Sequence, residues 1–143
     1  MREIIFRGKG TRKGKEWKEG DLFHGYNGYV GITKKLLGVE TWEVDPETVG
    51  QYTGLKDKKG KKIFEGDIIK YEHRDIKEKA VIRYGSPNKV DAAMYGWMYG
   101  WYLDDNHGNT AYLFSEHYIN FFEFEVVGNI WDNPELLGGK ENG

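Results

Sequence analysis

The sequence predicts a mainly β protein, a β-rich α+β fold of short strands in small barrel-like subdomains that are partly SH3-like, with one or two short helices. Three observations predict this class: glycine is frequent at 20 of 143 residues, aromatic residues make up 15%, and short apolar runs alternate with turn residues. Short strands separated by glycine-containing turns are typical of barrels and sandwiches. We expect one domain over residues 1–137, or two intertwined subdomains within it, and a frayed polar tail over residues 138–143.

In the first half of the chain, runs of β-forming residues predict strands that short turns separate. Residues 8–20 are basic and glycine-rich, and Trp17 is their only large apolar residue, which predicts a loop or a mobile hairpin. Pro46 ends the predicted strand over residues 39–44, because its φ is fixed and it donates no hydrogen bond. The predicted strands of this half are residues 3–7, 21–23, 28–33, 39–44 and 49–53.

In the second half, two turns and two short helices accompany the predicted strands. Residues 57–60 and 65–67 predict turns, in which glycine supplies a positive φ. Asn133 followed by Pro134 predicts a capped helical turn over residues 133–137. Longer helices are expected only over residues 88–99 or 115–122. The predicted strands are residues 63–64, 68–71, 80–84, 110–114 and 121–130.

An aromatic tetrapeptide occurs twice in succession, over residues 94–97 and 98–101. A strand would place four rings on one face, whereas two glycines would weaken a helix by about 1 kcal/mol each. We favour the strand, buried in the core. A self-association surface and a stacking platform for single-stranded bases stay open as alternatives. The four candidate interface or stacking residues are Tyr95, Trp97, Tyr99 and Trp101.

Charge is unevenly distributed along the chain, although its net value is only −2. Residues 1–20 carry seven basic and three acidic side chains, residues 54–70 six and three, and residues 104–143 one and eight. Such asymmetry can steer an anionic partner or dock one copy of the chain on another, but ordinary solvated surfaces explain it more simply.

Several chemistries find no support in the sequence. The chain contains no cysteine, which excludes disulfides and thiolate catalysis. Residues 54–62 and 8–16 resemble phosphate-binding loops only superficially, since their spacing and final residues do not match. Residues 104–108 do not match a calcium loop, and the four histidines lack metal-binding spacing. We therefore predict no enzyme, no catalytic residue, no metal and no cofactor.

No targeting or membrane segment is evident. The chain begins with a three-residue apolar run, which is shorter than the roughly 7–15 residues of a secretory signal core, and no run approaches the roughly 20 apolar residues of a membrane-spanning helix. We therefore expect a soluble cytoplasmic protein with no membrane partner.

Three passages carry a family resemblance: residues 1–7, the long passage 44–70 and the end 126–137. Together they resemble the YopX family, small proteins of bacteriophages and prophages. The resemblance implies a β-rich fold of small barrel-like parts and supplies no catalytic residue. It departs at residues 8–18 and in the variable stretch 73–120.

Two function hypotheses follow. The first is a phage or prophage accessory protein of unassigned biochemical activity that acts as a non-catalytic interaction module, with a homo-oligomer or another protein as partner. The alternative is a nucleic-acid-binding accessory protein that contacts phosphates through basic hairpins at residues 7–15 and 56–62. Its candidate nucleic-acid-binding residues are Lys56, Lys58, Lys59, Lys61, Lys62, Arg12, Lys13 and Lys15.

Overall fold

The computed structural model of the chain describes residues 3–34, 40–85, 100–107, 110–112 and 116–138. The chain divides into two compact units that follow each other in sequence, Met1–Gly54 and Leu55–Gly143. No helix among the described residues is long and apolar enough to cross a membrane.

The first unit is built on an antiparallel sheet in which the first four strands follow one another as hairpins and the fifth pairs with the first. The order is β4-β3-β2-β1-β5, and Ile32, Val44 and Tyr52 are buried. Gly8 lies so close to Val44 that a Cβ atom at this position would overlap its side chain, which is why the strand carries glycine here. The strands are β1 (Phe6–Lys9), β2 (Trp17–His24), β3 (Val30–Lys34), β4 (Glu40–Glu43) and β5 (Gly50–Lys56), with 3-10 turns at Tyr26–Gly28 and Pro46–Thr48.

The second unit contains a five-stranded antiparallel sheet of order β10-β9-β8-β7-β11. The strands of that sheet are β7 (Asp67–His73), β8 (Ile76–Gly85), β9 (Gly100–Asp104), β10 (Thr110–Tyr112) and β11 (Glu125–Asn129). The unit also contains strand β6 (Lys62–Phe64), outside that sheet, and the helices α1 (Glu116–Phe121) and α2 (Glu135–Gly138). β6 forms a hairpin with the end of β5, in line with the predicted turn. The core comprises Ile63, Ile69, Ile82, Ile119, Phe124 and Val126.

The close approach of Trp131 to Gly66 joins two of the passages that carry the family resemblance. Gly66 has φ +89°, and a Cβ atom there would overlap the indole of Trp131. The Gly66 carbonyl accepts a hydrogen bond from Ile130 N at 3.0 Å, while its own N–H donates to the Ile82 carbonyl at 2.8 Å. The turn after β6 therefore needs glycine both for its backbone conformation and for this contact.

The predicted mainly β class with short helices is confirmed. Within the described residues both sheets are open, because each ends in two different edge strands and no strand pair closes a barrel. The SH3-like character stays a prediction. Helices occur at two predicted places, residues 115–122 and 133–137, while residues 88–99 lie outside the described part of the chain.

Some element boundaries differ from those the sequence predicted. Residues 8–20 contain the end of β1 and half of β2, because Trp17 is half-buried beneath the Arg7 guanidinium, 4.8 Å from its ring centroid. The run 121–130 is divided, since Phe121 ends α1 and Glu123 adopts a positive φ of 51° before β11 begins. The Asn133 Oδ1 accepts a hydrogen bond from Asn129 N at 3.1 Å, which ties the residue before α2 to the end of β11, and the predicted capping role of Asn133 stays a prediction.

Candidate interaction surfaces

A buried carboxylate organises the lysine-rich turn between β5 and β6. Asp57 is only 6% exposed. Its Oδ1 accepts hydrogen bonds from Lys59 N and Lys61 N, both at 2.9 Å. Its Oδ2 accepts one from Val126 N on β11, also at 2.9 Å. The turn is therefore fixed both by its own backbone and against β11 of the five-stranded sheet, so its lysine side chains project from a rigid support.

Acidic side chains already neutralise two of the five candidate lysines on this turn. Lys59 Nζ lies 2.8 Å from Glu125, while Lys58 Nζ lies 3.8 Å from Glu123 and 4.0 Å from Glu125. Lys70 Nζ on β7 approaches the same Glu125 at 3.4 Å. Part of the basic segment 54–70 thus faces part of the acidic segment 104–143 within one unit.

The ion pair between Lys59 and Glu125 is visible in both pKa values. The side-chain hydrogen bond from Lys59 is the largest cause that lowers the pKa of the Glu125 carboxyl, and Lys70 adds to it. The same hydrogen bond raises the pKa of the Lys59 ammonium. Of the other candidate lysines, Lys56 and Lys61 are exposed and Lys62 is half-buried.

The second basic candidate forms the tip of the β1–β2 hairpin. Gly10 N donates to the Glu16 carbonyl at 2.8 Å and closes the turn, in which Lys15 has φ +44°. Arg12, Lys13 and Lys15 are exposed on this tip, and within the described residues they make no ion pair. They form the basic tip, a cluster of three exposed cations.

Most of the aromatic repeat lies outside the described residues, which include only Gly100 and Trp101 of it. Trp101 stands on β9, half-buried against the core, with its ring centroid 4.7 Å from that of Tyr84. Tyr95, Trp97 and Tyr99 are not among the described residues, so the role of the repeat as a whole stays a prediction.

The structure brings together aromatic rings, three of them exposed and one half-buried, that the sequence analysis did not single out. We call His73, His117, Tyr118 and Phe121 the aromatic patch. Phe121 on α1 lies 4.6 Å from the His73 ring at the end of β7 and 6.3 Å from the His117 ring. Phe121 and Tyr118 are 48% and 40% exposed, and Tyr118 stacks on Phe122 at 5.9 Å. Helical spacing in residues 117–121 was a signal for such a patch, but His73 could be placed there only by the fold.

A cleft of about 490 Å³ lies beside β7 and β8. Burial raises the pKa of the Tyr71 hydroxyl in this cleft, and the charges of Glu78 and Asp105 raise it further. Within the described residues no group of three or more histidine, aspartate or glutamate side chains is arranged to hold a metal ion. The lining residues are Lys70, Tyr71, Glu72, Lys77, Glu78, Lys79, Asp105, His107, Leu136 and Leu137.

Comparisons with known proteins give one family and one fold. The family model described as "YopX protein" matches residues 6–138. The crystal structure of protein EF1440 from Enterococcus faecalis is similar to this chain with a TM-score of 0.55 and 23% sequence identity, covering 96% of this chain and 99% of that chain. At this identity the likeness shows the fold alone. No curated protein matches the chain.

Proposed function

Since the chain belongs to the YopX family, we propose that it is a phage or prophage accessory protein that acts without catalysis in the bacterial cytoplasm, by self-association through the aromatic patch. The observation that carries this proposal is the exposure of Tyr118 and Phe121 side by side on α1. Tyrosine and phenylalanine are enriched at the centres of protein interfaces, where they bury large apolar areas.

The surroundings of the aromatic patch suit contact with a second copy. Exposed Arg74 follows His73 in the chain, and exposed Glu116 precedes His117, so side chains of opposite sign border the rings in sequence. A two-fold interface brings each surface against itself, so a rim that carries both signs can complement its own copy. Burial of apolar rings then supplies about 25 cal/mol for each Å² removed from water.

Light scattering after size exclusion tests self-association. The wild type should show a mass above the monomer value of 16.6 kDa, and that mass should rise with concentration. Tyr118→Ser combined with Phe121→Ser should give a monomer with unchanged circular dichroism. The matched control is Tyr26→Ser, which removes an isolated ring that is 93% exposed and should leave the mass unchanged. A wild type that stays monomeric at every concentration would contradict the proposal.

Nucleic-acid binding is the second candidate function, and the exposure of the basic tip favours it. Arg12, Lys13 and Lys15 are open to phosphates, whereas Lys58 and Lys59 already face carboxylates. Binding that neutralises three phosphates of a single strand has a salt-dependence slope of about −2 in log–log form.

A titration of labelled single-stranded DNA at several salt concentrations tests this candidate. Replacing Arg12, Lys13 and Lys15 by glutamine should remove that slope and most of the affinity. The matched control, Lys58→Gln with Lys59→Gln, should change the slope little because Glu123 and Glu125 already neutralise these lysines. Absence of binding at low salt would rule this candidate out.

A further inference from the structure

β8 pairs with a different strand over each of its two halves, and the two strands overlap only at Val81. β7 pairs with β8 from Ile76 to Val81, whereas β9 pairs with it only from Val81 to Gly85. Within the described residues, residues 77–79 of β8 therefore have a strand on one side only. Alternate residues of such an edge direct their backbone N–H and C=O groups outward, where another strand can pair with them.

The end of β9 is fixed by hydrogen bonds from backbone amides to aspartate side chains, so it does not extend along this edge. Asp104 Oδ1 accepts a hydrogen bond from Asn106 N and Asp105 Oδ1 accepts one from His107 N, both at 2.8 Å. Asn106 adopts a positive φ of 67°, which turns the chain. The open stretch of β8 is thus a built feature of the β9–β10 connection.

The cleft described above borders this open edge and extends over β7, whose Lys70, Tyr71 and Glu72 also line it. Lys77, Glu78 and Lys79 line it, together with Asp105 and His107 from the turn after β9 and two leucines of α2. Its volume of about 490 Å³ falls in the range of roughly 300–1,000 Å³ found for binding sites in proteins. An exposed strand edge that opens into a cleft fits an extended peptide, which adds to the sheet as a further strand.

The cleft lining carries both signs, with Glu72, Glu78 and Asp105 beside Lys70, Lys77 and Lys79, and the face of β8 that carries Lys77 and Lys79 is the one that favours acidic residues. The alternation of side chains along β8 places Lys77 and Lys79 on the same face. Lys79 stands opposite Lys70 on β7, whose ammonium already faces Glu125, and Lys77 stands opposite Glu72. Lys77 and Lys79 are exposed and make no ion pair within the described residues. Acidic residues at positions i and i+2 of an added strand would lie beside these two lysines.

We propose that β8 binds an extended acidic segment of another protein, which adds to residues 77–79 as an antiparallel or parallel strand with acidic side chains at alternate positions. The backbone of the edge supplies the hydrogen bonds, and Lys77 and Lys79 supply the preference for acidic residues. This surface shares no residue with the aromatic patch, although His73 pairs with Ile76 next to Lys77, and the proposal does not rest on self-association.

Fluorescence anisotropy with labelled peptides tests the proposal. The probe is the acetylated peptide Thr-Thr-Glu-Val-Glu-Thr-Thr, and the comparison peptide has lysine in place of both glutamates. Two further probes carry N-methyl groups on one or the other set of alternate amides. Lys77→Glu combined with Lys79→Glu should weaken the acidic peptide about tenfold or more and improve binding of the lysine peptide. The matched control is Lys56→Glu with Lys61→Glu, which makes the same charge change elsewhere in the unit.

Strand addition predicts that one N-methylated probe loses binding while the other keeps it, because only one set of amides faces β8. Equal binding of both N-methylated probes would overturn the proposal, as would an unchanged affinity in the Lys77 and Lys79 variant or no binding of the acidic peptide at millimolar concentration. Tyr118→Ser with Phe121→Ser should bind the peptide normally, which separates this proposal from self-association. If the wild type forms a dimer that Lys77→Glu with Lys79→Glu converts to a monomer, while Tyr118→Ser with Phe121→Ser does not, the edge binds a second copy of the chain and the proposal is overturned.

Discussion

At the residue scale, Asp57 is a buried side chain whose replacement should lower stability, because both of its oxygens accept backbone hydrogen bonds. Asp57→Asn keeps the volume but replaces one acceptor oxygen by a donor, which leaves a buried N–H without its partner. We expect the free energy of unfolding to fall by about 1–3 kcal/mol, as for other buried groups left unsatisfied. Urea denaturation measures this loss. The exposed Asp75→Asn should leave the midpoint unchanged, and equal midpoints for both variants would contradict the role of Asp57.

Gly66 is restricted both by a positive φ and by its contact with Trp131, whereas Gly60 has only the positive φ. Gly60 has a similar φ of +83° but open space around it, so Gly60→Ala should cost only the backbone strain, about 1 kcal/mol. Gly66→Ala should cost roughly 1–3 kcal/mol more, because its methyl group would overlap Trp131. Thermal unfolding measures both. Adding Trp131→Ala to Gly66→Ala should cost less than the two single changes together, and strict additivity would argue against the contact.

At the element scale, the ion pair between the β5–β6 turn and β11 makes stability depend on pH. Because the pKa of Glu125 is lowered in the folded state, its ionised carboxylate stabilises that state at pH values above 4.5, the ordinary pKa of the group. This contribution is lost as the pH falls through the lowered pKa. The raised pKa of Lys59 stabilises it below 10.5, and this contribution is lost as the pH rises through the raised pKa.

A double-mutant cycle of Glu125→Gln and Lys59→Gln checks this pair. Each single change should lower the unfolding midpoint slightly at neutral pH, and the double change should cost less than their sum. Below the lowered pKa of Glu125, the wild type and Glu125→Gln should converge. Equal effects at neutral and at acidic pH would show that the pair contributes nothing.

Local residue chemistry predicted some elements well and others poorly. Asp57 and Gly60 determine their turn within four residues, and Pro134 marks the start of α2, so both were accessible from the sequence. The aromatic patch was not, because His73 and Phe121 meet only through the fold. The open edge of β8 was equally hidden, since it depends on where β9 stops pairing. Lys59 was a candidate phosphate contact because the sequence does not show that it pairs with Glu125, which lies 66 positions away along the chain.

At the scale of the whole molecule, the two compact units are expected to open as separate cooperative units. Hydrogen exchange followed by mass spectrometry tests this expectation with Asp57→Asn. The variant should accelerate exchange in β7, β8 and β11 and change β1, β2 and β3 much less. The wild type under identical conditions is the reference. Uniform acceleration through both units would show that the chain opens as one.

The bond from Val126 N–H to Asp57 has a consequence for the order in which the chain acquires its structure during synthesis. β7 and β8 are synthesised before β11, so until the residues of β11 have also been made the outer side of β7 has no strand partner and Asp57 Oδ2 lacks its bond from Val126 N–H. Apolar strand edges that wait in this way are the surfaces on which nascent chains aggregate. Translation that stops before β11 would therefore release a fragment that aggregates, and rapid synthesis of β11 protects the newly made protein from aggregation.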